Sequence, residues 1–191
     1  MIIAIDLDDV LANSLQSFVD FYNEKYNGDL KCEDFTAFTL NEIKGMPLDE
    51  EAKLLTEYDE SKYYDQIMPM KNAKETIQKL SQNNKLVIVT SRPDKKEEKT
   101  KKWLKQHIGD FAEVHFMRQT YSGKNKTKTK GEICKEIGAE YLIEDNLDYA
   151  KSCIEKGVKV LLFDYPWNQE ENLNPLITRV KSWEEILRKL S

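Results

Sequence analysis

The chain has 191 residues, 40% hydrophobic and 33% charged, with seven Gly and five Pro; that supports a buried core and excludes a collagen-like or low-complexity chain. A net charge of −5 argues against a protein that coats nucleic acid or an anionic membrane surface, and no apolar run approaches the ~18 residues of a membrane span. Three scattered cysteines, Cys32, Cys134 and Cys153, lack CxxC spacing, so neither a disulfide framework nor a zinc site is indicated.

The chain starts MIIAIDLDDV, with no basic lead and acid after five residues, so no signal peptide is read there and a cytoplasmic setting is expected. Residues 2–6, IIAID, form the first apolar run. KLVIVT (85–90), EVHFM (113–117), EYLIED (140–145) and KVLLFD (159–164) repeat the pattern, and TRV (178–180) is a short sixth. Runs rich in Ile and Val read as buried parallel strands when helices separate them. Between them, 72–83, 95–108, 131–138, 147–156 and 182–190 carry apolar residues at helical spacing. Gly109, Gly138 and Gly157 mark stops. This alternation predicts an α/β fold with a doubly wound parallel sheet.

One interval departs from the alternation. About 65 residues after the first strand contain no strand pattern, are rich in Phe and Tyr, and place Phe18, Phe21 and Tyr22 on one helical face. A structureless loop of that length is implausible in a compact domain. The expected organisation is therefore a core of residues 1–13 and 70–191, with a small helical cap, 14–69, inserted after the first strand.

Ligands of open α/β sheets sit at the carboxyl ends of the strands. The first strand ends in Asp6, Asp8 and Asp9, the second in Thr90, Ser91 and Arg92, the fourth in Glu144 and Asp145 with Asp148 close behind. The Lys-rich stretch KNKTKTKGE precedes the helix that feeds the fourth strand. Crowded carboxylates raise one another's pKa unless a cation sits among them, and hard oxygen ligands suit Mg²⁺. Hydroxyls and ammoniums on the same rim suit an anion, of which phosphate is the obvious one.

The motif DLDDVLANS resembles motif I of the haloacid dehalogenase superfamily, an apolar strand followed by D-x-D. VIVTS resembles its motif II, and a Lys before a helix followed by a strand ending in acids resembles motifs III and IV. The resemblance implies a Rossmann-like core and a Mg²⁺-dependent phosphomonoesterase. By it, Asp6 is the nucleophile that forms an aspartyl-phosphate. Asp8 is the general acid and base and binds the metal through its carbonyl. Thr90 holds a phosphoryl oxygen, and Lys130 supplies the cation, with Lys128 as runner-up. Asp6, Asp8 and Asp145 hold Mg²⁺, Ser91 and Arg92 bind substrate, and Glu144 and Asp148 are secondary candidates for the metal.

DxDxVLAN with its aromatic cap, VTSRP, LIEDN and LFDYPWN are similar to the 5′(3′)-deoxyribonucleotidase-like, cytosolic type C group. That points to a small phosphorylated substrate, first a nucleoside monophosphate, with Phe18, Tyr22 and Trp167 available to stack on a base. Two alternatives stand beside it. Residues 118–131 hold Arg118, Lys124, Lys126, Lys128 and Lys130 without an acid, a basic lip suited to a phosphorylated nucleic-acid end. A non-enzymatic phospho-receiver also gathers acids, Thr or Ser and Lys on one rim, but its phosphorylated Asp ends a middle strand of a shorter chain. No membrane partner is expected, and oligomeric state is not legible.

Overall fold

In a computed structural model, residues 1–111, 113–117 and 128–191 are described. Six strands, β1 (Ile2–Ile5), β2 (Lys85–Thr90), β3 (Val114–Phe116), β4 (Tyr141–Glu144), β5 (Lys159–Phe163) and β6 (Ile177–Val180), form one sheet of order β3-β2-β1-β4-β5-β6. All pairs are parallel, with Ile3 opposite both Leu86 and Tyr141. The order reverses at β1, so the crevice beside its carboxyl end, shared with β4, is where such a sheet opens to a ligand.

Side chains alternate across a strand, and the two apolar faces follow that period. Ile3, Ile5, Ile88, Leu161 and Phe163 belong to one buried cluster, Ala4, Val87, Val89, Leu142, Val160 and Leu162 to the other. The first is covered by α5 (Ala73–Leu80), α6 (Glu97–His107) and α9 (Trp183–Leu190), the second by α7 (Lys130–Glu136) and α8 (Leu147–Ile154). Cys134 and Cys153 are buried in the second cluster and free, packing as small hydrophobes. Gly138 and Gly157 follow α7 and α8 with positive φ, as helix stops do; Gly109 follows α6 without it. Among the described residues no helix is long and apolar enough to cross a membrane.

The segment between β1 and α5 is helical: α1 (Ser14–Tyr26), α2 (Leu40–Lys44), α3 (Leu48–Asp59) and α4 (Lys62–Asp65). Its aromatics pack on one another, with Phe18 edge-on to Tyr58 at 5.3 Å and to Phe35 at 6.3 Å. The buried Glu51 of α3 accepts the Leu40 and Asn41 amides, at 2.7 and 3.2 Å, and so caps α2 from the neighbouring helix. The chain leaves and re-enters the sheet region side by side: Asn13 N–H donates to Met68 O at 2.9 Å and Met70 N–H to Leu11 O at 2.7 Å.

Trp183, the first residue of α9, is 1% exposed, packs on Phe163 and donates its indole N–H to Val10 O at 2.9 Å. The last helix thus holds the loop that follows β1. Trp183→Ala is expected to cost about 3–5 kcal/mol in equilibrium urea unfolding, because it opens a cavity and orphans a buried carbonyl together.

Candidate active site

Asp6 stands one residue past β1, and its amide donates to Ile143 O of β4 at 3.0 Å, continuing the sheet toward the rim. The chain then turns sharply: the Leu11 and Ala12 amides both donate to Leu7 O, and Asp9 takes φ +55. A non-glycine residue in the left-handed region is uncommon and is held by its surroundings. Here the Asp9 carboxylate accepts the Leu15 amide at 2.9 Å, and its carbonyl accepts the Tyr165 hydroxyl at 2.9 Å. The turn places Asp6 and Asp8 in separate environments.

Asp6 faces inward. Its Oδ1 accepts from Lys130 Nζ at 2.8 Å, and the same ammonium donates to Glu144 Oε2 at 2.7 Å. Lys130 and Glu144 have no solvent exposure. Lys130 is the first residue of α7 rather than the residue before it. Thr129 and Glu132 form a reciprocal capping box that starts the helix one residue earlier than the glycine suggests. Lys128 is exposed and paired with Glu136 at 2.7 Å, away from the acids.

Gly131 explains how Lys130 reaches so deep. A Cβ there would lie 2.0 Å from the Ser152 carbonyl oxygen of α8. Only glycine lets the two helices close to that distance.

Asp145, next to Glu144, completes a set of three buried carboxylates, Asp6, Glu144 and Asp145, whose oxygens lie within 4.8 Å of one another. Glu144 is fully engaged, since its second oxygen accepts the Asp145 and Asn146 amides at 3.1 Å. Asp145 accepts the Trp167 indole N–H on Oδ2 at 3.1 Å. None of these bonds uses Oδ2 of Asp6 or Oδ1 of Asp145. Asp148 is exposed in the first turn of α8, outside the cluster.

Asp8 turns outward. Arg92 clamps it with Nε to Oδ2 at 2.9 Å and Nη2 to Oδ1 at 2.6 Å, and Ser14 Oγ donates to Oδ1 at 2.5 Å. Thr90 is fully buried and its hydroxyl oxygen accepts the Arg92 amide at 3.1 Å. Ser91 follows Thr90 at the same strand end, and the Tyr149 ring lies under Lys130 Nζ at 4.4 Å.

The electrostatics follow from this division. Burial pushes Asp6 up to about 7, against the pull of Lys130 and with the push of Glu144. Burial, then Glu144 and Asp6, raise Asp145 well above its ordinary value. Burial lifts Asp9 to about 7 in spite of the Leu15 amide. Asp8 is the exception: burial alone would raise it, but the Arg92 guanidinium and the bonds from Arg92 and Ser14 hold it below the usual carboxylate range. Burial works against the charged form of Lys130, yet its two carboxylates hold it above an ordinary lysine.

Among the described residues, the side-chain cations bonded to Asp6, Asp8, Glu144 and Asp145 are Lys130 and Arg92. With two cations for four carboxylates, ionising all four in so buried a site is unfavourable unless a further cation joins them. Oδ2 of Asp6 and Oδ1 of Asp145, which none of the bonds above takes, are hard donors of the kind a small divalent ion takes. The donor set fits Mg²⁺.

Above Asp8 a cavity of about 850 Å³ separates the sheet rim from α1–α4. Asp8, Asp9, Ser14 and Arg92 line its lower end, and Phe18, Phe35, Phe38, Leu40, Leu55 and Trp167 give it apolar walls. Of the aromatics expected to face a base, Phe18 and Trp167 line the cavity. Tyr22 does not; it packs on Tyr26 at 4.8 Å and on Phe18 at 6.4 Å.

Comparison with known proteins places this geometry. The family profile described as 5′ nucleotidase, deoxy (pyrimidine), cytosolic type C matches residues 1–190. The chain belongs to that nucleotidase family. A nucleotidase of Clostridium acetobutylicum is 28% identical over 184 residues, covering 96% of this chain and 90% of that one. A 5′(3′)-deoxyribonucleotidase of Bacillus subtilis is 28% identical over 189 residues, covering 99% and 98%. In fold, the chain is similar to a haloacid dehalogenase-like family hydrolase of Streptococcus pneumoniae, with TM-score 0.71 at 14% identity over 100% of this chain and 98% of the other. This nucleotidase-family chain is a phosphoric monoester hydrolase, and its fold is that of haloacid dehalogenase-like hydrolases.

The sequence reading missed Ser14, Gly131, Tyr149 and Asn168. Gly131 and Tyr149 act on partners in another helix, whereas Ser14 and Asn168 sit inside quoted motifs with nothing local to say that their side chains reach Asp8 and the Asp145 carbonyl. Of these, Gly131 alone had a local signal, a glycine just inside a helix start where no turn needs it. Gly131→Ala is expected to force α7 off α8, lowering the melting temperature and reducing phosphatase turnover by at least about tenfold by misplacing Lys130. Thermal melts and steady-state assays check both effects.

Proposed function

We propose that the chain hydrolyses a nucleoside monophosphate through an aspartyl-phosphate on Asp6. The observation that carries this reading is the division of the two motif I acids. Asp6 lies buried on Lys130 beside Glu144 and Asp145, and Asp8 lies on Arg92 at the floor of an apolar cavity. One acid is placed to attack and the other to handle protons.

In the first step an Asp6 oxygen attacks phosphorus and the ester P–O bond breaks, with Asp8 delivering a proton to the leaving alcohol. In the second, Asp8 takes a proton from water, the oxygen of that water attacks the phosphoryl group, and phosphate and the Asp6 carboxylate are regenerated. The Arg92 clamp suits Asp8 to the second step, as a base. A phosphoryl oxygen arriving at Arg92 competes for the guanidinium and frees Asp8 to carry a proton in the first. Thr90 and Ser91 hold phosphoryl oxygens on the β2 side, and Lys130 offsets charge on the transferring group. Asp6, Asp145 and the Asp8 carbonyl would hold Mg²⁺, which when bound would add neutralisation of the phosphoryl oxygens.

The helical segment 14–69 acts as the cap that selects the substrate. A cavity of this size is in the range for small-molecule sites, and its aromatic and aliphatic walls suit a base while its polar floor suits a phosphate. That the Bacillus subtilis relative is a 5′(3′)-deoxyribonucleotidase supports a deoxyribonucleotide. The reading carries a cytoplasmic location with it. The basic lip for nucleic-acid ends has no such support: Arg118, Lys124 and Lys126 lie outside the described residues, Lys128 is paired with Glu136 and Lys130 is buried.

Asp6→Asn is expected to lower Mg²⁺-dependent hydrolysis of deoxyribonucleoside monophosphates by on the order of 10³-fold or more, and EDTA to abolish it in the wild type. Full activity in either case contradicts the mechanism. In a panel of phosphorylated metabolites, a preference for sugar phosphates over every nucleotide contradicts the substrate class alone.

A further inference from the structure

The segment Tyr165-Pro166-Trp167-Asn168 follows β5 and contains none of the acids, hydroxyls or lysines that the reaction needs. Its side chains nevertheless tie together three parts of the site. The Tyr165 hydroxyl donates to the carbonyl of Asp9 at 2.9 Å. Asn168 is 1% exposed, donates to the carbonyls of Asp145 and Phe163 at 2.7 Å each, and is itself held by Arg179 at 2.6 Å. The Trp167 indole donates to Asp145 Oδ2 at 3.1 Å.

The Trp167 ring is placed as firmly as its N–H. Tyr165 stacks on it at 4.3 Å with an interplanar angle of 9°, and Phe38 of the helical segment meets it at 6.0 Å and 60°. One residue therefore forms the sheet-side wall of the cavity and fixes one oxygen of the acid nearest it in the cluster. A neutral donor suits that task. A lysine or arginine on Asp145 would cancel the charge a cation needs; an indole N–H orients the carboxylate and leaves its charge in place.

We propose that Trp167 is a positioning residue that aims Asp145 at the divalent cation and, with Phe38, sets the fit of the base. This rests on the phosphatase reading above. The N–H and the ring have separable consequences. Losing the N–H frees the Asp145 carboxylate to rotate and weakens cation binding. Losing ring contact with Phe38 opens the cavity wall and weakens substrate binding.

The test is calorimetric titration of the substrate-free protein with Mg²⁺, for wild type, Trp167→Phe and Phe38→Ala, alongside kcat and KM for a deoxyribonucleoside monophosphate. Trp167→Phe keeps an aromatic ring and is expected to weaken Mg²⁺ binding by about tenfold or more, to regain most of kcat at saturating Mg²⁺, and to leave KM nearly unchanged. Phe38→Ala, at a residue 51% exposed, is expected to raise KM severalfold and leave the Mg²⁺ affinity as it was. A purely structural role for Trp167 gives a lower melting temperature and a lower kcat that Mg²⁺ does not rescue, with unchanged Mg²⁺ affinity; that result overturns the proposal while wild-type turnover leaves the phosphatase reading standing. A wild type that neither binds Mg²⁺ nor turns over removes both.

Discussion

The Lys130 ammonium, held 2.8 Å from Asp6 and 2.7 Å from Glu144 with no exposure to water, is the interaction on which the site depends. It joins three elements that are far apart in sequence: the end of β1, the end of β4 and the start of α7. Burying an ammonium is expensive and is offset only where its partners are well placed. Removing one partner from such an arrangement typically costs about 3–5 kcal/mol. The arrangement therefore constrains its surroundings. Gly131 must be glycine for α7 to sit close to α8, Thr129 and Glu132 must start the helix there, and Tyr149 covers the ammonium from the remaining side. The lysine alone does not match the acids gathered around it, Asp6, Glu144 and Asp145, and that excess of carboxylate is what the proposed divalent cation would answer.

A second division separates the floor of the cavity from its roof. The floor comes from the sheet rim, where Asp8 and Asp9 follow β1 and Arg92 follows β2, next to the switch point shared by β1 and β4. The roof comes from four helices that pack through Phe18, Phe35, Tyr58 and Tyr64, and joins the sheet at a paired crossing of residues 11–13 with 68–70. The aromatics mostly serve as the core of that roof. Only part of the set lines the cavity, so composition alone overstates how many face it.

Much of this was legible in the sequence because it rests on local rules. Apolar runs of Ile and Val predicted the strands, and acids or hydroxyls placed directly after them predicted a rim site, since a parallel sheet brings those ends together. Lys130 was legible as a lysine at a helix start, although the helix begins one residue earlier because Thr129 caps it. What was not legible depends on pairings across the fold. Arg92 and Asp8 are 84 residues apart, and nothing local says that a guanidinium beside a hydroxyl strand end turns back onto an acid. Glu144 was ranked below Asp145, yet it is the lysine's second anchor, and Asp148 falls outside altogether. Tyr22 was read with Phe18 from helical spacing alone, which does not say which flank of the stripe faces the cavity.

The central claim is that Asp6 carries the phosphoryl group during turnover. The most direct measurement is acid quenching of the Mg²⁺-loaded wild type during steady hydrolysis of a deoxyribonucleoside monophosphate, followed by peptide mass analysis. The account predicts the added mass of a phosphoryl group on the amino-terminal peptide at Asp6, absent without Mg²⁺. Steady turnover with no phosphoryl group on that peptide, or with the group on another residue, would contradict it.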